Sequence, residues 1–263
     1  MKGKKGYKSV PLSFNRRTVI ASASITKQKS AIHSLAEIDI TEPRLLLKKH
    51  FERTGEKLSF TAYIVTCLAH VVKDHPNLNS FIKGRRLILL DDITISVLVE
   101  RELGEELVPE PVAINGTQSK TFRQIHNEIR EAKQHRSNKL GSLTGKSWIR
   151  FIPGFLLKIF VRIADSNIRM AKAYGKIAVT AVGMFSKEAI WFIPHGPATV
   201  LITVGSISNK IVEVNGKLVS REHLCVTASF DHDIVDGAPA SRFMNQFIET
   251  IKTGKFLKTE LEN

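Results

Sequence analysis

Two cysteines, Cys67 and Cys225, are all that the 263 residues contain, and they stand far apart in no C-x-x-C arrangement. That excludes a disulfide framework and a thiolate zinc site, and it suits a reducing cytoplasm, where we expect the protein. Long apolar runs are also missing. No stretch reaches the roughly 18–20 residues that a spanning helix needs, and the basic start, MKGKKGYKSVPLSF, leads into no run of signal-peptide length. There is no internal repeat, no Walker A loop and no dinucleotide fingerprint. The histidines show no H-E-x-x-H or similar ligand spacing, so no metal is expected. Acids are the scarce charge: 25 Asp and Glu face 39 Lys and Arg, a net +14 with a pI near 9.8. The surplus favours nucleic acid, anionic lipid or a polyphosphate ligand without choosing among them. No aromatic stacking pattern or nucleic-acid motif accompanies it, so nucleic acid is not expected as a partner.

What is present reads as one globular domain behind a flexible basic arm over 1–13. A helix is expected from Phe14 to about Lys27 and a strand over Ala31–Ile40. Thr41 is the expected N-cap of a helix over 42–54, with Pro43 in its first turn and Gly55 as its stop. Ser59 caps a second helix whose Ile64, Leu68, Val71 and Val72 recur at helical spacing, and Pro76 ends it. Residues 86–100 read as two short strands, 101–118 as a loop rich in Gly, Pro and Glu, and about 120–136 as a polar helix. Further strands are expected at 176–182, 198–205, 209–214 and 223–230, with Asn215–Gly216 as a hairpin tip. A last helix runs from near Ala238 to about Lys252. Several strands follow one another without an intervening helix, which favours a mixed sheet with packed helices over a doubly wound parallel sheet.

Charge and apolarity meet in one region. Between Asn115 and Lys176 there are 13 Lys or Arg and 3 acids, read either as a solvated face or as an anion site. Within it lies WIRFIPGFLLKIFVRI, Trp148–Ile163, apolar except for Arg150, Lys158 and Arg162, which share one sector of a helical wheel. Its continuous helix should begin after Pro153–Gly154. Such a helix is buried, packs in a subunit interface or lies on a membrane surface. We rank interface or core first and membrane surface second.

The run LCVTASFDHDIVDGAPASRF, Leu224–Phe243, carries the chemistry. An alternating strand ends in Asp231–His232, and a short turn with Asp236–Gly237 opens the final helix. An imidazole at a strand end, anchored on both sides by regular structure, is well placed for a general base. The same pattern also describes a hydrogen-bonded core histidine, with Asp236 as a helix cap.

DHDIVDGAPASRF resembles the D-H-R-x-x-D-G signature of the 2-oxo acid dehydrogenase E2 acyltransferases, the dihydrolipoamide acyltransferases. Gly175–Phe185, GKIAVTAVGMF, resembles their G-T-F-T-I-S-N-L-G-M-F segment. Leu58–Ser80, LLDDITISVLV and the Val108–Pro109 region keep the family's order, and NRRTVIASASITKQ is similar to its opening helix. The resemblance spans about residues 13–253. It implies a chloramphenicol acetyltransferase-like α/β fold of α+β type, a two-layer sandwich of mixed sheet and packed helices over 14–263, with an apolar insertion at about 141–170.

By the same resemblance, His232 is the base that deprotonates a thiol of coenzyme A or dihydrolipoamide, and Thr180 the hydroxyl that hydrogen-bonds the tetrahedral oxyanion. Asp236 is a structural residue of the catalytic loop, expected to pair with Arg16 or Arg17. Coenzyme A or acyl-CoA is then a substrate, and the site lies between protomers of a homotrimer or of a larger trimer-based assembly, so that one chain holds half-sites. Asp233 stands where the family has Arg, Thr180 where it has Ser, and Ala181 where it has Asn. The chain is expected to be a free-standing variant with no lipoyl group of its own, using a lipoylated protein in trans or another nucleophile. The chloramphenicol branch fits less well, because its H-H-x-x-x-D-G-x-H pattern lacks both outer histidines here. The other reading from the same family is a catalytically weak or inactive oligomeric scaffold.

Overall fold

Alternation along the strand before His232 sets the plan of the molecule. Leu224, Val226, Ala228 and Phe230 enter the main hydrophobic core, so Cys225, Thr227, Ser229 and Asp231 take the other side of the sheet. A computed structural model describes residues 6–27, 29–103, 106–134, 153–183, 186 and 188–261. In chain order its elements are α1 (Phe14–Thr26), β1 (Ala31–Asp39), α2 (Thr41–Thr54), α3 (Phe60–Val72), β2 (Ser80–Lys83), β3 (Arg86–Leu89), β4 (Ile95–Leu103) and β5 (Glu106–Ile114). Then come α4 (Phe122–Gln134), α5 (Gly154–Asp165), α6 (Ile168–Tyr174), β6 (Ile177–Ala181), β7 (Val200–Val214), β8 (Lys217–Asp231), α7 (Gly237–Lys252) and α8 (Lys255–Leu261).

Six strands form one sheet in the order β1-β8-β7-β6-β4-β5. The β4–β6 and β6–β7 pairs are parallel and the others antiparallel, so the sheet is mixed, as the strand succession predicts. β2 and β3 form a separate hairpin. One sheet face packs on the helices. α3 is apolar all round, with ten buried residues from Ala62 to Val72, and it lies against α7, α4 and α8. A helix of that composition belongs in a core. Phe243 and Phe247 of α7 stack on each other, and Phe243 meets Phe230 edge-on.

Most element ends have the expected chemistry. The Ser59 hydroxyl accepts the Ala62 N–H at the start of α3, and α2 stops at Gly55. Asn215 and Gly216, with φ of 52° and 77°, make the two-residue turn between β7 and β8, the geometry that type I′ hairpins require. Three expectations fail. Thr41 is the first residue of α2 and not its cap; its hydroxyl accepts the Glu222 N–H and so ties α2 to β8. Residues 106–114 form β5 and not a loop. Pro109 and Pro111 are compatible with it because β5 is the outermost strand, where a missing N–H breaks no inner ladder. The strands expected at 198–205 and 209–214 are one strand with a register irregularity between Val204 and Ile207. β2, α6 and α8 are elements beyond those expected. Residues 148–152 of the apolar segment, and Met184 and Phe185 of the motif segment, lie outside the described residues.

Candidate active site

β8 ends at Asp231 and α7 begins at Gly237, so His232 and Asp236 occupy the short turn between them. Backbone bonds hold that turn. The His232 N–H donates to Ser30 O at 2.7 Å, Asp231 N–H to Thr199 O at 3.0 Å, and the Ile234 and Val235 N–H groups both to Asp231 O at 3.0 Å. The imidazole is 43% exposed, and its Nδ1 lies 3.6 Å from Asp236 Oδ1, whose side chain is 84% exposed. The histidine is therefore no buried core residue. Asp236 stands at the N-cap of α7 but accepts no capping bond there, which leaves its carboxylate facing the ring. Among the described residues the charged neighbour that Asp236 faces is His232. An exposed pair of this kind orients the ring more than it stabilises the fold. With Nδ1 turned to Asp236, Nε2 is the nitrogen left for substrate.

Beneath the turn is a line of alternating charge that the sequence did not announce. The Asp231 carboxylate is 5% exposed and lies 2.9 Å from Lys29 Nζ; it also accepts the Asp233 N–H at 3.3 Å. Lys29 donates to Pro197 O at 2.8 Å and sits 3.9 Å from Asp165. Asp165 in turn accepts from Lys176 at 2.7 Å. Burial lowers the Lys176 pKa against the opposing pull of Asp165, while its Nζ also faces the Phe81 ring at 4.9 Å. The segment before β1, the end of α5, the start of β6 and the end of β8 are thus tied together below His232. Asp231 was visible as part of the motif, but nothing in the sequence names its partner.

Thr180 lies elsewhere on the sheet. It pairs with Thr203 of β7, which pairs with Thr227 of β8. The three hydroxyl residues form one row on the face opposite the helices. Thr203 and Thr227 are each 1% exposed, and neither hydroxyl finds a partner among the described residues. Gly183 follows two residues after β6, where any Cβ would run into the Gly205 backbone. Thr227 precedes His232 by five residues, and β6 is two strands from β8, so Thr180 and His232 of one chain are roughly 19 Å apart at the backbone. A base and an oxyanion donor serving one carbonyl must each reach it within about 3 Å. One protomer therefore does not bring the two together.

Segment 188–197 crosses the same polar face. Trp191 donates to Ala36 O at 3.2 Å, and the Ile190 N–H to Ser206 Oγ at 2.8 Å. Its Pro194, His195 and Gly196 border a small cavity with Lys29, Ser229 and Asp231. There His33 Nδ1 lies 2.8 Å from Ser229 Oγ, and burial, with His195 nearby, holds the His33 pKa below its ordinary value. Both thiols are buried, and burial pushes both Cys67 and Cys225 up. Neither is a thiolate nucleophile at neutral pH, so any thiol chemistry at this site belongs to substrates. No cluster of metal-binding side chains is found among the described residues.

The family model for the 2-oxoacid dehydrogenases acyltransferase (catalytic domain) matches residues 4–145 and 165–258, leaving 146–164 unmatched. The lipoamide acyltransferase component of the branched-chain alpha-keto acid dehydrogenase complex of Bacillus subtilis is 26% identical over 258 residues, covering 94% of this chain and 53% of that protein. The dihydrolipoyllysine-residue acetyltransferase component of the pyruvate dehydrogenase complex of the same organism is 26% identical over 240 residues, covering 87% and 47%. The chain thus spans about half the length of the curated relatives it matches. Among solved structures, the dihydrolipoamide acetyltransferase of Azotobacter vinelandii superposes with a TM-score of 0.72 at 20% identity, covering 95% of this chain and 93% of that one. The same score, identity and coverages hold for a structure described as the cubic core of the pyruvate dehydrogenase multienzyme complex.

Proposed function

This chain belongs to the 2-oxoacid dehydrogenases acyltransferase family, as its catalytic domain, and from that membership we propose that it moves an acyl group between coenzyme A and a second thiol, dihydrolipoamide. The observation that carries the reading is the pinned turn at the end of β8, which offers an exposed imidazole backed by a carboxylate. His232 Nε2 takes the proton of the attacking thiol, whose pKa of about 8.5 leaves only a small thiolate fraction at neutral pH. The thiolate adds to the thioester carbonyl, and the carbon–sulfur bond to the departing thiol then breaks. That second thiolate recovers the proton from the imidazolium, so the step is symmetrical and needs no further reagent. Asp236 steadies the imidazolium while it exists.

The tetrahedral oxyanion needs a donor, worth roughly 3 kcal/mol. We assign it to the Thr180 hydroxyl of a neighbouring protomer, because the His232 of the same chain is out of reach. The assembly we propose is trimer-based. In support, the chain shares its fold with a protein described as a cubic core, and Ile190, Phe192 and Ile193 expose apolar surface beside the Thr180 face. The lipoyl group is proposed to arrive on a partner protein, in keeping with the names of the relatives.

The test is acyl transfer from a panel of acyl-CoA donors to free dihydrolipoamide. His232→Ala should lose about 10²–10⁴-fold in rate with the oligomer intact. Thr180→Ala alone should lose about 10²–10³-fold. Refolded together in equal amounts, the two inactive variants should regain about a quarter of the native rate, the share of interfaces in a cyclic assembly that pair an intact His232 with an intact Thr180. Light scattering should give a multiple of three times the 29.4 kDa chain mass. Full activity in His232→Ala removes the base assignment. Absence of recovery in the mixture removes the shared site.

A further inference from the structure

The stretch that the family model skips contains a helix whose outer surface is apolar. α5 packs against α1 and buries only Leu157. Phe155, Ile159 and Ile163 are 63%, 52% and 61% exposed, and Leu156 and Phe160 are exposed as well. At 100° per residue, the first three lie within roughly 80° of one another and opposite Leu157. Lys158 and Arg162 flank this strip on one side, both exposed. Val19 and Ile20 extend exposed apolar surface onto α1. Of the expected settings, interface or core and then membrane surface, the exposure removes only the core of the chain.

Charge distinguishes what such a surface can meet. α1, α5 and α6 together contain a single acid, Asp165, and it is engaged by Lys176 and Lys29. The same three helices carry the exposed Arg16, Lys158, Arg162, Arg169 and Lys172. A second copy of this face would bring two cationic rims together around the apolar contact. A layer of anionic headgroups over acyl chains would complement both features. At 12 residues, α5 is about 18 Å long, too short to cross a bilayer but sufficient to lie along one. Its end is held by the Asp165 ion pairs to Lys176, just before β6, and to Lys29, just before β1, so the apolar strip is mounted on the rigid body of the domain.

We propose that α5, with the adjoining rim of α1, docks this protein on the surface of an anionic lipid bilayer, with Phe155, Ile159 and Ile163 inserted at the headgroup boundary and Lys158 and Arg162 at the phosphates. The proposal does not depend on acyl transfer, and its test does not read activity.

The test is flotation of the assembled protein with vesicles of phosphatidylcholine alone and of phosphatidylcholine mixed with phosphatidylglycerol, at low and high salt. The native protein should partition onto the anionic vesicles at least about tenfold more than onto the neutral ones, and salt should weaken the binding. The variant Phe155→Ser, Ile159→Ser, Ile163→Ser should lose at least about tenfold in partitioning, and so should Lys158→Glu, Arg162→Glu. Every substituted side chain is exposed, so circular dichroism and assembly mass should stay as in the native protein. No binding to anionic vesicles overturns the proposal, as does binding that both variants retain. A triple variant that changes assembly mass instead identifies the strip as a contact between copies, which also overturns it.

Discussion

The two faces of the central sheet are built on opposite rules. On the helix side, β8 and β7 present Leu224, Val226, Phe230, Val200 and Ile202, all at or below 1% exposure, and the contacts are dispersion and apolar burial. On the other side, the same strands present Thr203, Thr227, Ser229 and Asp231, nearly as well buried. That face is held by particular pairs: Asp231 with Lys29, His33 with Ser229, Trp191 with Ala36. It also carries hydroxyls that no described group satisfies. The apolar face accounts for the fold. The polar face carries polar groups at a cost to stability, and it is where the candidate chemistry lies.

The largest test of this contrast falls on the apolar face. Phe243 of α7 is fully buried between Phe230, Phe247 and the His75 ring. Phe243→Ala should cost about 3–5 kcal/mol, read as a lowered urea midpoint with the m-value unchanged. A loss below about 1 kcal/mol would mean that the helix layer is not packed as described.

Next in size is the charge line. Lys29→Met leaves the Asp231 carboxylate buried without its cation, at a cost of about 3 kcal/mol. Asp231→Asn in the Lys29→Met background should recover most of that loss, because the buried charge is then gone. Failure of the second substitution to rescue the first would show that Lys29 acts through Pro197 O and Asp165, not through Asp231.

The sequence revealed these two faces unequally. Period-2 alternation made the inner half of β8 easy to read, and caps and stops such as Ser59 and Gly55 set the ends of α2 and α3. Reading failed where local signals competed with position in the sheet. Pro109 and Pro111 suggest a loop unless β5 is known to be an edge. Beyond β1, the paired ends of β7 and β8 form a ribbon with polar residues on both sides, among them Asn209, Lys210, Arg221 and Glu222; the strand at 209–214 and its Asn215–Gly216 tip were legible, but not the continuity of that strand with 198–205. His232, Thr180 and Asp236 could be singled out as candidates because motifs carry them. The ion pairs under His232 join residues 29, 165, 176 and 231, and only the folded chain brings such distant positions together.

The smallest effect discriminates most finely, because it compares neighbours in one row. Thr203 and Thr180 are register partners on the polar face, but their proposed roles differ. A buried hydroxyl without a partner forfeits about 1–3 kcal/mol of hydration, and valine has nearly the same shape. Thr203→Val should therefore raise stability by about 1 kcal/mol, or roughly 2–4 °C in Tm, and leave transfer rates close to native. Thr180→Val should behave oppositely, keeping stability within about 0.5 kcal/mol while losing about 10²–10³-fold in rate. If Thr203→Val instead lowers the rate as far as Thr180→Val does, the row works as a connected hydroxyl relay. The oxyanion role would then belong to the pair and not to Thr180 alone.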